Sequence, residues 1–600
     1  MPPVPLNFVQ CDDMTMNAET VPLTSSSMEV DTQTTSTSAP DSNIETTTHT
    51  NTSVSSDGVT TTVITTTIVM TPRRAPHKPP TMASSGLVKA ATPPPSLITD
   101  ANRKGNLIGE KRNPPHTFLT PSRRVRPLQR SPSQLLRLRR ASPSKSPPCA
   151  STAPMRLLSC VYQKYAWGKK GAASSAGNMV TAASRAHQSI GLAESFELPA
   201  DVPVAEMWMG THPSGMSKVL DGEYGVIGLK EYVQSDPATH LGSDDGETND
   251  ITFLFKVLSI GQVLSIQAHP DKHLAVRLHA ARPSLYKDPN HKPEMAIALT
   301  DDTSALMGFR PMPEIYEHML EYKEFAKAVG SRAVAMCASL ASKSAGYGAA
   351  VGGMELDRQV DESRSFSALS EMFRTFVGQE RNEFVISQVH ALTSRLRKSW
   401  EENTLDRENE LVKLILYLAT IYPDDPCVLS PLFFNYVQLK RGQALYIRTN
   451  EPHAYISGEL LECMATSDNV VRVGLTPKVK DTDTLLDMLT YRAGRPRLTF
   501  GERVDHCTTL YRPPVEDFCV ETLEVMAGDS YDVEAVPSPS ILLCYDGKGI
   551  LKQTFGTSGE TKELSVSFGM SVFISANTTL EILAEGEAIS IARAMSNVYG

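Results

Sequence analysis

The residues with the most chemistry in this chain fall in one block, where Ser265-Ile-Gln267-Ala-His269-Pro-Asp-Lys is followed by His291-Lys292-Pro-Glu294. Strand side chains repeat with period two, so Gln267 and His269 share a face and present an amide oxygen and an imidazole together. Glu294 then supplies a carboxylate as a third ligand. That donor set makes an open metal site, and open sites do chemistry rather than hold a fold together. His453, in Asn450-Glu-Pro-His-Ala-Tyr455 after a strand–Gly-turn–strand unit, is the distant fourth ligand. One Gln, two neutral His and one carboxylate leave a divalent cation with net positive charge, able to polarise a substrate oxygen. Taken singly, each of the four is more often an ordinary polar residue satisfied by hydrogen bonds.

Basic residues gather around these ligands: Lys256, Lys272 and Lys292 in the same block, Arg472 and Lys478 further on. The gathering matters because the chain is acidic, with net charge −9. Residues 103–146 carry twelve Lys or Arg against one acid, Glu110, while residues 1–102 carry four against nine. The remainder is therefore strongly acidic and repels an anionic ligand unless cations are collected locally. Arg472, flanked by apolar residues in Val470-Val-Arg-Val-Gly-Leu475, is either a surface strand arginine or a guanidinium aimed at an anion or a developing oxyanion. Lys478 is a solvated lysine or an anion holder, and Glu462 a strand-surface acid or an active-site carboxylate. His291 is close enough to the ligands to act as an acid–base group. His273 and His279 fall in the helix expected after Pro270 and serve packing or surface.

The elements that must carry these residues follow from texture. Residues 1 to about 154 are rich in Ser, Thr and Pro, with no sustained helical or strand period, and are expected to be disordered. Their basic stretch, with Arg123-Arg-Val-Arg126 and Arg137-Leu-Arg-Arg-Ala-Ser142-Pro, is a solvated linker or a targeting and phosphorylation segment. From Arg156 short apolar runs such as Phe253-Leu-Phe-Lys-Val-Leu-Ser259 suggest closely spaced strands. Helical spacing takes over across Glu314–Val329, Ser365–Val377 and Asn382–Tyr422, interrupted by a Gly/Ala-rich insertion at Ala345–Gly353. Strand texture returns from Phe434, a short amphipathic helix is expected over Asp481–Tyr491, and many short β runs fill Glu516 to the end. The coarse architecture is two β domains with a helical insert, mainly β overall. Nine scattered cysteines without a C-x-x-C point to a reducing compartment. No apolar run is long enough to span a membrane and the start lacks a secretory signal, so the cytoplasm is expected.

Together these segments resemble the type I phosphomannose isomerases. The likeness is carried by Gln163-Lys-Tyr-Ala-Trp-Gly168, Glu206-Met-Trp-Met-Gly-Thr-His212-Pro, Phe253–Ser259, the Ser265–Lys272 run and Asn290-His-Lys-Pro-Glu-Met-Ala296. It continues through Pro452-His-Ala-Tyr455, Glu462-Cys-Met-Ala-Thr-Ser-Asp-Asn-Val-Val-Arg472 and Gly474-Leu-Thr-Pro-Lys478, and covers residues from about 156 to 600.

The resemblance implies two cupin-like jelly rolls with a helical domain inserted in the first. It divides the chain into a tail 1–154, a discontinuous catalytic domain 155–312 and 427–485, a helical insert 313–426, and a C-terminal cupin-like domain 486–600. It places one zinc ion per chain on Gln267, His269, Glu294 and His453, and the catalytic arginine on Arg472. Lys256, Ser265, Lys292, Glu462 and Lys478 fall on active-site positions. We expect Lys292 and Glu462 beside Arg472 in catalysis, and Lys256, Ser265, Lys478 and His291 to bind substrate. The base stays open among Lys292, Glu462 and His291. The implied reaction interconverts mannose 6-phosphate and fructose 6-phosphate by proton transfer between C1 and C2, feeding GDP-mannose synthesis and glycosylation. Its partner is a small sugar phosphate, with no membrane and no nucleic acid engaged by the core. The chain has no histidine beyond His506, so the last domain cannot repeat the metal site. The rival reading is a catalytically silent cupin scaffold acting through its basic tail.

Overall fold

The computed structural model describes residues 155–192, 198–221, 225–242, 249–344, 355–555 and 560–599, and three strands before them. The chain falls into two compact units, Met1–Arg124 and Val125–Gly600. In the first, Thr34–Thr37, Ile44–Val54 and Thr60–Met70 form a three-stranded antiparallel sheet. The sequence predicts no strand period there. Runs of β-branched Thr, Val and Ile favour extended backbone without needing alternation. The rest of the tail expected to be disordered, including the basic stretch 103–146, lies outside the described residues.

The second unit is sheet-rich with a helical layer. Its eleven-stranded sheet is organised by one long strand, His453–Ala465. The first half of that strand pairs with Thr303–Phe309 and Ile266–Ala268, the second half with Phe253–Ile260 and Glu294–Ala298. The hand-over falls at Gly458, whose φ is +115°, next to a register shift opposite Ser304 and Ala305. A bulge bends its strand and lets one strand serve two sheet faces. Only glycine fits, because a Cβ here would overlap Thr303 and the backbone is one that L side chains rarely adopt. Gly458→Ala is therefore expected to destabilise the protein by about 2–3 kcal/mol. Urea unfolding monitors this, and an unchanged midpoint would show that the bend tolerates a side chain.

The helical layer sits between the strands Thr303–Phe309 and Phe434–Leu439, which pair directly with each other. The helix expected over Glu314–Val329 is two, Met312–Glu321 and Lys323–Val329, broken at Tyr322. The stretch expected as helix to Tyr422 is Asn382–Glu401 and Glu410–Ile421, with Asn403 at φ +56° between them. Asn409 caps the second, its Oδ1 accepting from the backbone N–H of Leu411 and Val412. Ser365–Val377 is the end of a longer helix, Glu355–Val377, and the Gly/Ala insertion before it lies outside the described residues. The helices bury their apolar stripes against the sheet through Phe309, Phe325, Phe373, Phe376, Phe433 and Phe434, all fully buried. Tilted and edge-on ring pairs such as Phe433–Phe434, 4.6 Å between centroids, match the preferred geometry of aromatic packing.

A nine-stranded and a four-stranded sheet complete the unit. The nine-stranded sheet holds Cys519–Val525, Ser540–Asp546, Ser571–Ile574 and Ile589–Met595, but also Met155–Ser159, Lys218–Asp221 and Gly225–Gly228. Conversely, Leu498–Thr499 pairs with Ala444–Ile447 of the eleven-stranded sheet. Strands thus cross the divisions drawn at 155–312 and 486–600. Pairing Met155–Ser159 with Ser571–Ile574 covers an edge that would otherwise expose open backbone groups. No helix among the described residues is long and apolar enough to cross a membrane.

Candidate metal centre and cation-lined cavity

The site is assembled by cross-strand register. Gln267 lies opposite His453 on one side and opposite Arg472 on the other. Directly paired residues project to one face, so the three share it, and His269 joins them two residues on from Gln267. On the neighbouring strands, Ala296 pairs with Glu462, Glu462 with Lys256, and Lys256 with Trp208. Glu294 and Glu206 follow by the period of two. One face of one sheet therefore carries nearly every residue singled out from the sequence.

His269, Glu294 and His453 close into a triad whose ligand atoms all lie within 4.8 Å of one another. His269 Nε2 is 3.3 Å from Glu294 Oε1, and His453 Nε2 is 3.3 Å from Glu294 Oε2. The far nitrogens face backbone carbonyls, His269 Nδ1 at 2.7 Å from Asn469 O and His453 Nδ1 at 3.1 Å from Glu451 O. A carbonyl only accepts, so each Nδ1 carries the hydrogen and each Nε2 presents its lone pair inward. Two lone pairs then meet an anionic carboxylate in a fully buried place, with no hydrogen shared across either nitrogen–oxygen contact. Both Nε2 atoms and Glu294 Oε2 lack any hydrogen-bond partner. Such a cluster is costly unless a cation sits in it, so the residues fit a divalent metal. Burial drives the His269 imidazole down to about 4, despite Glu294, so it is neutral at physiological pH. Burial opposes Glu294 ionisation, but the Lys292 ammonium beside it helps to hold its pKa well below the usual carboxylate value.

The loops bearing the two histidines are tied together by Asn450, at φ +61°. Its N–H donates to His269 O at 2.7 Å and its Nδ2 to Asp271 Oδ2 at 2.7 Å, while Asp271 Oδ1 caps the helix Lys272–Ala281. Ser265 Oγ donates to Gln267 Oε1 at 3.2 Å, which orients the amide. Lys292 Nζ is 2.8 Å from Glu294 Oε1.

A cavity of about 890 Å³ opens beside the triad. Lys256, Ser265, Gln267, Lys292, Arg472 and Lys478 line it, whereas the triad lies buried behind Gln267 and Lys292. Among the described residues neither Arg472 nor Lys478 has a carboxylate at ion-pair distance. Burial lowers the pKa of both, and the Arg472 charge adds to the effect on Lys478. They are cations short of an anion. His291 is a correction: it does not line the cavity, and its Nε2 pairs with Asp517 at 3.0 Å. Consecutive residues of an extended segment point to opposite sides, so Lys292 inward puts His291 outward.

Glu462 lies under the cavity floor with both oxygens engaged, Oε2 by Lys256 Nζ at 2.9 Å and Oε1 by the Tyr455 hydroxyl at 3.0 Å. Burial raises its pKa, offset by Lys256. Lys256 also lies 3.6 Å from Glu206 and 5.1 Å from the Trp208 ring centre, and Trp208 Nε1 donates to Glu206 at 2.5 Å. Burial disfavours the Lys256 charge, yet the three neighbouring carboxylates outweigh it and raise its pKa. Lys256→Met strips the cation from this cluster, and breaking a buried pair costs about 3–5 kcal/mol. The thermal midpoint should fall accordingly; an unaltered midpoint would mean the carboxylates find another partner.

Sequence reasoning assigned no role to Glu206, Trp208, Tyr165 or the pair His212–Asp468, 3.3 Å apart, all of which line the cavity. The hydrogen bond from His212 holds the Asp468 pKa low, against the effect of burial. The Glu206-x-Trp208 spacing carried the period-two signal that would have put both on the ligand face.

Two family profiles match the chain: "Phosphomannose isomerase type I, catalytic domain" over residues 155–312 and "Phosphomannose isomerase type I C-terminal" over 509–554. Mannose-6-phosphate isomerase 2 of Arabidopsis thaliana is 37% identical over 449 residues, covering 73% of this chain and 93% of its own. A variant of phosphomannose isomerase from Salmonella typhimurium superposes with a TM-score of 0.58 at 26% identity, over 74% of this chain and all of that one. A mannose 6-phosphate isomerase structure bound with zinc and yttrium gives 0.57 at 26%, with the same coverage.

Proposed function

Since the chain belongs to the type I phosphomannose isomerases and is a mannose-6-phosphate isomerase, we propose that it works as a zinc-dependent aldose–ketose isomerase by proton transfer between C1 and C2. The observation that carries this reading is the meeting, at one cavity, of a buried His–Glu–His donor triad with Arg472 and Lys478, which have no carboxylate at ion-pair distance among the described residues. His269, Glu294, His453 and Gln267 would hold a zinc ion, which would supply positive charge for the substrate's carbonyl and hydroxyl oxygens. Arg472 sits across the strand from Gln267 and stabilises the oxyanion of the enediolate. Lys478 holds the phosphate, and the cavity walls orient C1 and C2.

Of the three groups considered as base, His291 faces away and Glu462 has no free oxygen. Lys292 faces the cavity beside Glu294 and is assigned the proton: as the free amine it takes the proton from C2 of the aldose and delivers one of its ammonium hydrogens to C1 of the enediol, while the O2 proton passes to O1. Glu462 keeps Lys256 in place. The two β parts are read as cupin-like jelly rolls, the C-terminal one without a metal site, and the protein as a cytoplasmic source of precursor for GDP-mannose and glycosylation. The acidic core is assigned no nucleic-acid partner.

Mannose 6-phosphate carrying deuterium at C2 tests the proton-transfer chemistry. Conversion in ordinary water should give fructose 6-phosphate that has lost most of the label to solvent. Complete retention would overturn transfer through Lys292, whose three ammonium hydrogens mix and exchange, and leave a direct hydride shift or a base that holds a single shielded proton.

A further inference from the structure

On the opposite face of the same sheet lies a second cleft, of about 1160 Å³, that the isomerisation does not use. Where Glu294 turns to the metal ligands, its neighbour Met295 turns to this cleft, with its cross-strand partner Tyr446 alongside. The other wall is built from the C-terminal part, by Leu510–Glu516, Asn597 and Tyr599. Five arginines enter it, Arg448, Arg492, Arg495, Arg497 and Arg512, against the acids Glu451, Glu502 and Glu516. Three of these guanidiniums are engaged. Arg495 Nη2 is 2.5 Å from Glu314, Arg492 Nη1 is 3.8 Å from Glu451, and Arg512 Nη1 donates to Tyr599 O at 3.2 Å. Among the described residues Arg448 and Arg497 make neither an ion pair nor a side-chain hydrogen bond.

So many cations in one cleft run against the trend of a chain with net charge −9. Like charges held together repel, and a bound anion relieves the repulsion. Guanidinium forks match phosphate oxygens in bidentate geometry. Beside the arginines the lining includes half-buried Tyr446 and exposed Pro514, whose ring faces can take a planar ring. The volume suits a ligand larger than a bare anion. Glu451 joins this cleft to the metal centre. Its carboxylate lines the cleft and accepts from Thr490 Oγ1 at 2.7 Å, while its backbone oxygen lies 3.1 Å from His453 Nδ1.

We propose that this cleft binds a nucleoside diphosphate, its phosphates on Arg448 and Arg497 and its base against Tyr446 and Pro514. The test is calorimetric titration of the full chain with ADP, GDP and pyrophosphate, with and without saturating mannose 6-phosphate. A nucleoside diphosphate should bind alongside the sugar phosphate and more tightly than pyrophosphate. The double variant Arg448→Ala/Arg497→Ala should weaken it by about tenfold or more. Both arginines are exposed, and unchanged turnover of that variant without nucleotide reports that it is folded. No nucleotide binding to the wild type overturns the proposal. So does binding that mannose 6-phosphate displaces and the double variant leaves intact, since that places the nucleotide in the catalytic cavity. Pyrophosphate binding as tight as the nucleotide overturns the assignment of the base. The readout is binding rather than turnover, so its failure is distinct from any failure of the isomerase reading.

Discussion

The His269→Ala protein is expected to purify without its divalent metal and to lose turnover on the order of a thousandfold. Each Nε2 of the triad is oriented by a carbonyl behind it, and each is left without a partner in a fully buried place. Removing one imidazole leaves a single histidine, a carboxylate and an amide, too few fixed donors for the near-tetrahedral set that zinc prefers. The cation's contribution to a developing oxyanion is several kcal/mol, and about 1.4 kcal/mol is a factor of ten in rate. His273→Ala is the control, because that ring is exposed on the helix after the site. Elemental analysis and turnover should leave the control at wild-type values and the His269 variant depleted in both. Full metal content in the His269 variant would remove the triad from the account.

Arg472→Ala is expected to lower kcat by about a hundred- to a thousandfold, the usual loss when one preorganised donor to an oxyanion is removed. Arg472 spends no charge on a neighbouring carboxylate, and it stands at the cavity on the same face as Gln267 and His453. Its removal should leave stability nearly unchanged, since no buried partner is stranded. Arg472→Lys should recover little, because an ammonium cannot reproduce the planar fork. Steady-state kinetics beside urea unfolding separate these effects. A variant with kcat within a few fold of wild type would return Arg472 to the role of a surface strand arginine.

Much of this site was legible because its residues obey a local period. Gln267 and His269 declare a shared face, and Lys292 and Glu294 do the same. His453 lies far away in sequence, and only the antiparallel register Gln267↔His453 brings it in. Its strand–turn–strand setting marked it as a candidate without fixing its partners. Arg472 was ambiguous for the same reason: an arginine between apolar residues names a strand but not which face is the interior. His291 shows the limit of proximity in sequence, because one residue of displacement in an extended segment sends a side chain to the other side. The Lys256–Glu462–Tyr455 cluster was out of reach, since it depends on three strands meeting in one register.

In the fold, the helical insert followed from its spacing, while its breaks at Tyr322 and Asn403 are set by packing and backbone conformation rather than by any proline or glycine signal. The exchange of strands between sheets had no local signature at all. Met155–Ser159 reads as an ordinary apolar strand, and its partner Ser571–Ile574 lies near the other end of the chain.

The most direct measurement of the central claim follows fructose 6-phosphate formation from mannose 6-phosphate by the purified full chain, before chelation, after it, and after zinc is returned. Turnover should be present, fall to background as bound metal is stripped, and recover with stoichiometric zinc. Turnover that persists in protein shown by elemental analysis to be free of metal would contradict it.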